Sequence, residues 1–146
     1  VLSAKIQSAE KGAELFRLGV VKEREKALNI SPIVLAFVGD AVYSLFVRER
    51  LVFGGDFKTG ELNKKTVAEV NASAQAKFIR DVMPLLTEEE LSVFKRARNA
   101  KKTTRAKSAS DADYNASTGF EAVLGFLYIT GDIDRLNFIL NKGIEN

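Results

Sequence analysis

Two acidic residues stand alone in apolar runs, and they are the places where this chain has chemistry to offer. Asp40 follows a glycine within Leu35-Ala36-Phe37-Val38-Gly39-Asp40-Ala41-Val42-Tyr43, and Glu121 sits within Thr118-Gly119-Phe120-Glu121-Ala122-Val123-Leu124-Gly125-Phe126-Leu127. Helix interiors seldom take Gly or Asp, Gly costing ~1 kcal/mol relative to Ala. A carboxylate buried among apolar side chains needs a proton, a cationic partner or a metal. On helical spacing Thr118, Glu121, Gly125 and Tyr128 share one face, and Ala36, Asp40 and Tyr43 share another. If these two stripes of small residues pack together, the carboxylates meet.

Three readings fit such a pair. Each acid could simply pair with a core Arg or Lys. The two could act as the acid and base of glycoside hydrolysis, although that leaves the basic segment described below without a role. They could also hold a hard cation through oxygen, Mg²⁺ above all, which keeps several waters and completes its shell with substrate phosphate. The chain contains no His and no Cys. That excludes imidazole catalysis, Ser-His-Asp triads, disulfides and thiolate metal sites, and it fits a reducing, cytoplasmic setting.

The net charge is only +3, but it is unevenly placed. Lys95, Arg96, Arg98, Lys101, Lys102, Arg105 and Lys107 fall in one segment with no acid among them, so that segment carries +7 and the rest of the chain −4. Such concentration is the footprint of a polyanion partner. The plainer reading is a solvated helix end whose cations offset the macrodipole.

The elements that must position these groups are helices. Leu2, Ile6, Ala9, Ala13, Phe16 and Val20 form one stripe, which predicts a helix over residues 3–28, packed on the core or forming a dimer seam. Ser31-Pro32 opens a second helix, expected to be the buried central one, which Gly54-Gly55 stops. A third is predicted from Thr59 to about Met83, with Leu62, Val67, Val70, Ala74 and Phe78 inward and Pro84 at its end. Thr87-Glu88-Glu89-Glu90 reads as a capping box for a fourth, which delivers Arg96, Arg98 and Lys101. Residues 102–113 read as a mobile basic loop, Tyr114 to about Ile129 as the helix bearing Glu121, and Gly131-Asp132 as the start of a last helix with Ile133, Leu136 and Ile139 inward. Strand alternation is absent, so the fold class is all-α. No apolar run reaches the ~20 residues of a membrane span, and the start shows no signal peptide.

Leu35-Ala36-Phe37-Val38-Gly39-Asp40-Ala41-Val42 resembles the signature of the ribonuclease III family, and Phe120-Glu121-Ala122-Val123-Leu124-Gly125 is similar to that family's second acidic helix. Leu62-Asn63-Lys64-Lys65, Ala72 with Gln75-Ala76, Lys95-Arg96-Ala97-Arg98-Asn99-Ala100-Lys101 and Ser117-Thr118-Gly119-Phe120-Glu121-Ala122 extend the resemblance, most closely to Mini-ribonuclease III, the branch without a double-stranded-RNA-binding domain. The full-length ribonuclease III pattern has further acids where this chain has Ala36 and Thr118, and the Mini-ribonuclease III branch looks the same as this chain at both positions.

The resemblance implies a ribonuclease III endonuclease-domain-like helical bundle over residues 30–146; residues 1–29 lie outside it and are expected, on their own periodicity, to be an N-terminal helical extension. It implies a homodimeric, Mg²⁺-dependent endonuclease on double-stranded RNA, leaving 5′-phosphate and 3′-hydroxyl ends, in maturation of the large-subunit ribosomal RNA precursor. Asp40 and Glu121 carry over as catalytic metal ligands, and Thr118, which does not carry over, is a candidate contact to a metal-held water. Arg96, Arg98, Asn99, Lys101, Lys102, Arg105 and Lys107 are the expected RNA contacts. The rivals are a non-catalytic double-stranded-RNA-binding protein on the same fold, and a helical interaction module using the stripe at residues 2–20.

Overall fold

Seven α-helices and one short 3-10 turn account for almost all of residues 22–102 and 110–144, which are the residues this computed structural model describes. They are α1 (Arg24–Leu28), α2 (Pro32–Gly54), α3 (Thr59–Val70), α4 (Ala72–Val82), the turn Met83–Leu85, α5 (Glu88–Asn99), α6 (Asp111–Ile129) and α7 (Ile133–Ile144). No strand occurs among the described residues, so the fold is all-α. No helix among them is long and apolar enough to cross a membrane. The predicted helix over 3–28 is seen only as α1; the stripe from Leu2 to Val20 lies outside the described residues.

The buried centre is α6, not α2 as the sequence suggests. Every residue of α6 from Ser117 to Leu127 is buried except Glu121. In α2 only Leu35, Ala36, Gly39, Tyr43 and Val47 are buried, and Val34, Phe37, Leu45, Val52 and Phe53 lie exposed. The apolar content of α2 therefore serves two faces, one turned inward and one outward. Three rings tie the layers around α6 together: Tyr43 of α2, Phe78 of α4 and Phe120 of α6 meet with centroids 5.2–5.7 Å apart. Such aromatic contacts add to plain area burial because ring edges and faces are oppositely polarised.

The predicted helix from Thr59 to Met83 is two helices. Asn71 adopts an extended backbone (ψ 156°) and its side chain accepts from the Ala74 amide at 2.8 Å, capping α4 and ending α3. Asn is favoured at an N-cap because its short side chain can do this. The break shifts the phase of the inward face. Phe78 stays buried, but Val67 is 65% exposed and Ala74 is also exposed, while Thr66 and Gln75 take inward positions.

The other termini follow the sequence more closely. Thr87 and Glu90 form both hydrogen bonds of a capping box at the start of α5. Glu90 is buried to 1% exposure and its second task is a two-bond ion pair with Arg135 of α7, at 2.8 Å for each bond. Helix α6 begins at Asp111, earlier than the predicted Tyr114, because Ser110 caps it by accepting from the Asp113 amide. The end of the predicted basic loop thus belongs to a helix.

Candidate active site

Helices α2 and α6 cross backbone against backbone. A Cβ built on Gly39 would lie 1.6 Å from the Glu121 carbonyl oxygen, and one built on Gly125 would lie 1.9 Å from the Leu35 carbonyl oxygen. No residue but glycine fits at either place without the helices moving apart. Asp40 and Glu121 flank this contact, so the close crossing is what brings the carboxylates together.

They do not meet in the core. Asp40 is exposed and Glu121 half-buried, so the pair sits at the rim of the crossing. The expectation of a buried Asp40 fails because the flanking apolar residues Phe37 and Ala41 are themselves exposed on the outer face of α2. Among the described residues no Arg or Lys is hydrogen-bonded or ion-paired to either acid, whereas Glu90 pairs with Arg135. Glu121 Oε1 accepts from Ser117 Oγ at 3.1 Å. Glu121 Oε2 is buried and receives no hydrogen bond from the described residues; its neighbour is the Asp40 carboxylate, to which a protonated Glu121 donates.

Burial, then the adjoining Asp40 carboxylate, pushes the pKa of Glu121 up to about 9, against a smaller lowering from Ser117. The sign of the consequence is fixed. Between the ordinary 4.5 and about 9 the folded chain holds a proton on Glu121 that the unfolded chain does not. Stability of the cation-free protein therefore falls as pH rises through that window. Urea unfolding in chelator across pH 5–9 should show the decline, and Glu121→Gln should flatten it.

An acceptor-rich pair with one orphaned buried oxygen fits a cation. Among the described residues no group of three or more His, Cys, Asp or Glu gathers, so two carboxylates are what those residues supply. That suits Mg²⁺, which retains waters and takes phosphate oxygens, better than Zn²⁺ or a caged Ca²⁺. Thr118, the third expected site residue, is buried and donates its hydroxyl to the Tyr114 carbonyl at 3.0 Å.

The basic helix is fixed beside the acids. A Cβ on Gly119 would lie 2.8 Å from the Phe94 carbonyl oxygen, so α5 presses on α6 two residues from Glu121. One turn beyond Phe94, Arg98 lies over its ring (5.8 Å) and donates to Asn99 Oδ1. Arg96 donates one bond to the Leu28 carbonyl, and its side chain is otherwise exposed, as are Asn99 and Lys101. Lys102 differs: its ammonium donates to the carbonyls of Arg98 and Ala100, and burial lowers its pKa. It closes the end of α5, the role expected of a cation at a helix C-terminus. Arg105 and Lys107 lie outside the described residues.

With this geometry in view, the comparisons are decisive. The Ribonuclease III domain profile matches residues 33–132, from the start of α2 to the end of α6. The chain belongs to the ribonuclease III family. Within it, the chain is 44% identical to the Mini-ribonuclease 3 of Clostridium tetani (strain Massachusetts / E88) over 131 residues, covering 89% of this chain and 87% of that one. It is 46% identical to the Mini-ribonuclease 3 of Symbiobacterium thermophilum over 118 residues, covering 81% and 91%. A crystal structure of a Fusobacterium nucleatum protein superposes with a TM-score of 0.72 at 32% identity, covering 80% of this chain and 93% of that one. The resemblance to Mini-ribonuclease III drawn from the motifs thus holds over most of the chain, and the protein is an endoribonuclease of the ribonuclease III type.

Two residues beside the ribonuclease III acids went unassigned in the sequence. Gln75 (1% exposed) sets its Oε1 2.5 Å from Ser117 Oγ, which also lies 3.1 Å from Glu121 Oε1, so the one Ser117 hydroxyl proton stands between two acceptors. The available signal was a polar residue on the same helical stripe as Phe78, Ile79 and Val82, an expensive place for an amide without a partner.

Proposed function

We propose that this protein is a Mg²⁺-dependent endonuclease of double-stranded RNA that works as a homodimer and leaves 5′-phosphate and 3′-hydroxyl ends. The observation that carries the reading is the buried, donorless Oε2 of Glu121 beside Asp40, at a rim flanked by the basic helix. A divalent cation bound there would supply an activated water and neutralise charge building on the phosphate. Asp40 and Glu121 hold that cation, and Ser117 fixes one oxygen of Glu121 so that the other faces the site. Thr118, one turn before Glu121, adds a contact to cation-held water. Arg96, Arg98 and Lys101, with Asn99, Arg105 and Lys107, engage the duplex. A-form RNA is recognised by shape, phosphates and 2′-hydroxyls, so sequence preference is weak. The family resemblance makes the large-subunit ribosomal RNA precursor the proposed physiological substrate.

The exposed apolar stripe of α2 supports the dimer. Val34, Phe37, Leu45 and Val52 recur at helical spacing on one face, and Phe37 is 81% exposed. A large aromatic left in water beside an active-site rim is the mark of a covered surface. A two-fold partner would place two cutting sites on one duplex, matching its symmetry.

One assay tests the reading: end-labelled double-stranded RNA incubated with Mg²⁺, then with chelator, with product ends identified and the protein sedimented in parallel. Cleavage that needs the cation, 5′-phosphate products and a dimer are expected. Binding without cleavage would favour the non-catalytic RNA-binding alternative, and a monomer making paired cuts would refute the symmetric arrangement.

The basic segment has its own readout. If about four cations meet phosphate, log affinity should fall against log salt with slope roughly −3 to −4. Lys101→Ala should reduce the slope by about one, whereas Lys102→Ala should leave it unchanged, since that ammonium is spent on the end of α5. Binding measured at several salt concentrations separates the two.

A further inference from the structure

We propose that Asn99 and Lys102 are positioning residues that preset Arg98 as a two-pronged clamp for a phosphate of the duplex backbone. The inference rests on the reading that the end of α5 engages RNA, and it sets one arginine apart from the other cations there.

The clamp is built outwards from α6. The Phe94 ring is 3% exposed, and its Cδ2 and Cε2 would lie 2.9 Å from a Cβ on Gly119, so the ring is wedged against α6. One turn later the Arg98 guanidinium lies over that ring, 5.8 Å from its centroid. Arg98 Nε donates its one proton to Asn99 Oδ1 at 3.2 Å. The two terminal nitrogens of Arg98 have no partner among the described residues and form an end-on pair of donors. The backbone beneath is held as well. Helix α5 ends at Asn99, and Ala100 turns to an extended conformation (ψ 145°). The last carbonyls of a helix lack amide donors, and their negative end would repel phosphate. The Lys102 ammonium reaches back to the carbonyls of Arg98 and Ala100, at 3.1 and 2.9 Å, so two of its three protons cover that end. Burial lowers its pKa, as expected of an ammonium turned into the protein.

Charge alone does not call for this arrangement, since a free lysine at position 98 would bring the same charge. What the arginine adds is a planar fork whose two parallel N–H donors match two oxygens of one phosphodiester, which an ammonium cannot do. Arg96, the other arginine of α5, uses a terminal nitrogen on the Leu28 carbonyl, and Lys101 is a single exposed ammonium. Arg98 therefore keeps both prongs available while its ring stack, its Nε bond and the clamped backbone fix where they point. A side chain already held in its bound conformation loses little freedom on binding, which strengthens the complex without adding a contact.

The test measures binding of a mixed-sequence RNA duplex in chelator, so that no strand is cut, at several salt concentrations. Arg98→Lys keeps the charge and loses the fork, and should weaken binding about 10-fold with the slope against log salt unchanged. Asn99→Ala and Lys102→Met should each weaken it about fivefold, also without a change of slope, and Lys102→Arg should recover most of the loss. In the Arg98→Lys background Asn99→Ala should have no further effect, because Asn99 acts through Arg98. Melting in chelator confirms that each variant is folded; a purely structural role would lower that temperature and leave the affinity of the folded protein unchanged. Wild-type affinity in any of the three weakened single variants, additive losses in the Arg98→Lys/Asn99→Ala protein, or a slope reduced by about one in Lys102→Met, would overturn the preset clamp while leaving the basic helix as the RNA contact. Wild-type affinity and slope in the double variant Arg98→Ala/Lys101→Ala would remove that contact, and the clamp with it.

Discussion

Glu121→Gln is expected to reduce cleavage of double-stranded RNA by at least about 10³-fold, equivalent to ~4 kcal/mol of transition-state stabilisation, while duplex binding survives. The substitution keeps the side chain's size and its acceptor for Ser117. It removes the negative charge and turns an acceptor aimed at the site into an amide. Because burial and Asp40 already oppose ionisation of Glu121, the amide should also make the cation-free protein more heat-stable at pH 8. Gain of stability with loss of activity distinguishes an active-site acid from a structural one. Asp40→Asn should lose activity to a similar degree with little change in stability, since Asp40 is exposed. Single-turnover cleavage, filter binding and melting in chelator measure all three properties. Turnover within tenfold of wild type in either variant would sink the assignment.

Gly39→Ala is expected to destabilise the fold by about 3 kcal/mol or more, at or beyond the upper end of overpacking effects. Alanine gains ~1 kcal/mol of helix propensity over glycine, yet the added methyl would meet a backbone carbonyl at 1.6 Å. Backbone cannot step aside as a flexible side chain does, so the clash wins and the two helices must part. Gly125→Ala should behave alike, its methyl meeting the Leu35 carbonyl at 1.9 Å. Gly60 is the matched control: it lies in a helix and nothing stands within 4 Å of its added Cβ, so Gly60→Ala should be neutral or mildly stabilising. A melting-temperature fall of roughly 10 °C is expected for the first two. Activity should fall further than the folded fraction accounts for, since parting the helices separates Asp40 from Glu121. A Gly39→Ala protein as stable as the Gly60→Ala one would contradict the close crossing.

Much of this arrangement can be read from residue types. The isolated acids, the small residues beside them and the dense cations mark the candidate site, and the Gly39-Asp40 pair foreshadows the crossing. The two-helix register was legible because glycine and an acid are both costly in a helix and share one explanation here. The rest depends on competition that a linear pattern hides. Asn71 sits in a stretch whose propensities allow one long helix, and a single side-chain cap decides otherwise. Once the chain breaks there, Val67 and Ala74 leave the inward stripe and Gln75 enters it. The exposure of Asp40 was hidden for a different reason: an apolar run looks the same whether it faces the core or a surface awaiting a partner. Lys102 likewise reads as one more basic residue, and only its two carbonyl acceptors reveal its local task.

The glycine contact between α2 and α6 also has a mechanical consequence. With carbonyl against backbone on both sides, axial sliding would meet a steric barrier in either direction, whereas a scissoring about the contact would meet less. The acids stand beside that pivot and the helix ends far from it. Gly54 is fifteen residues from Gly39, a lever of about 22 Å at ~1.5 Å per residue. A scissor of about 5° moves that end by ~2 Å but shifts a group within ~5 Å of the pivot by only ~0.4 Å. Any scissoring of the helices would therefore leave the spacing of the two carboxylates nearly constant.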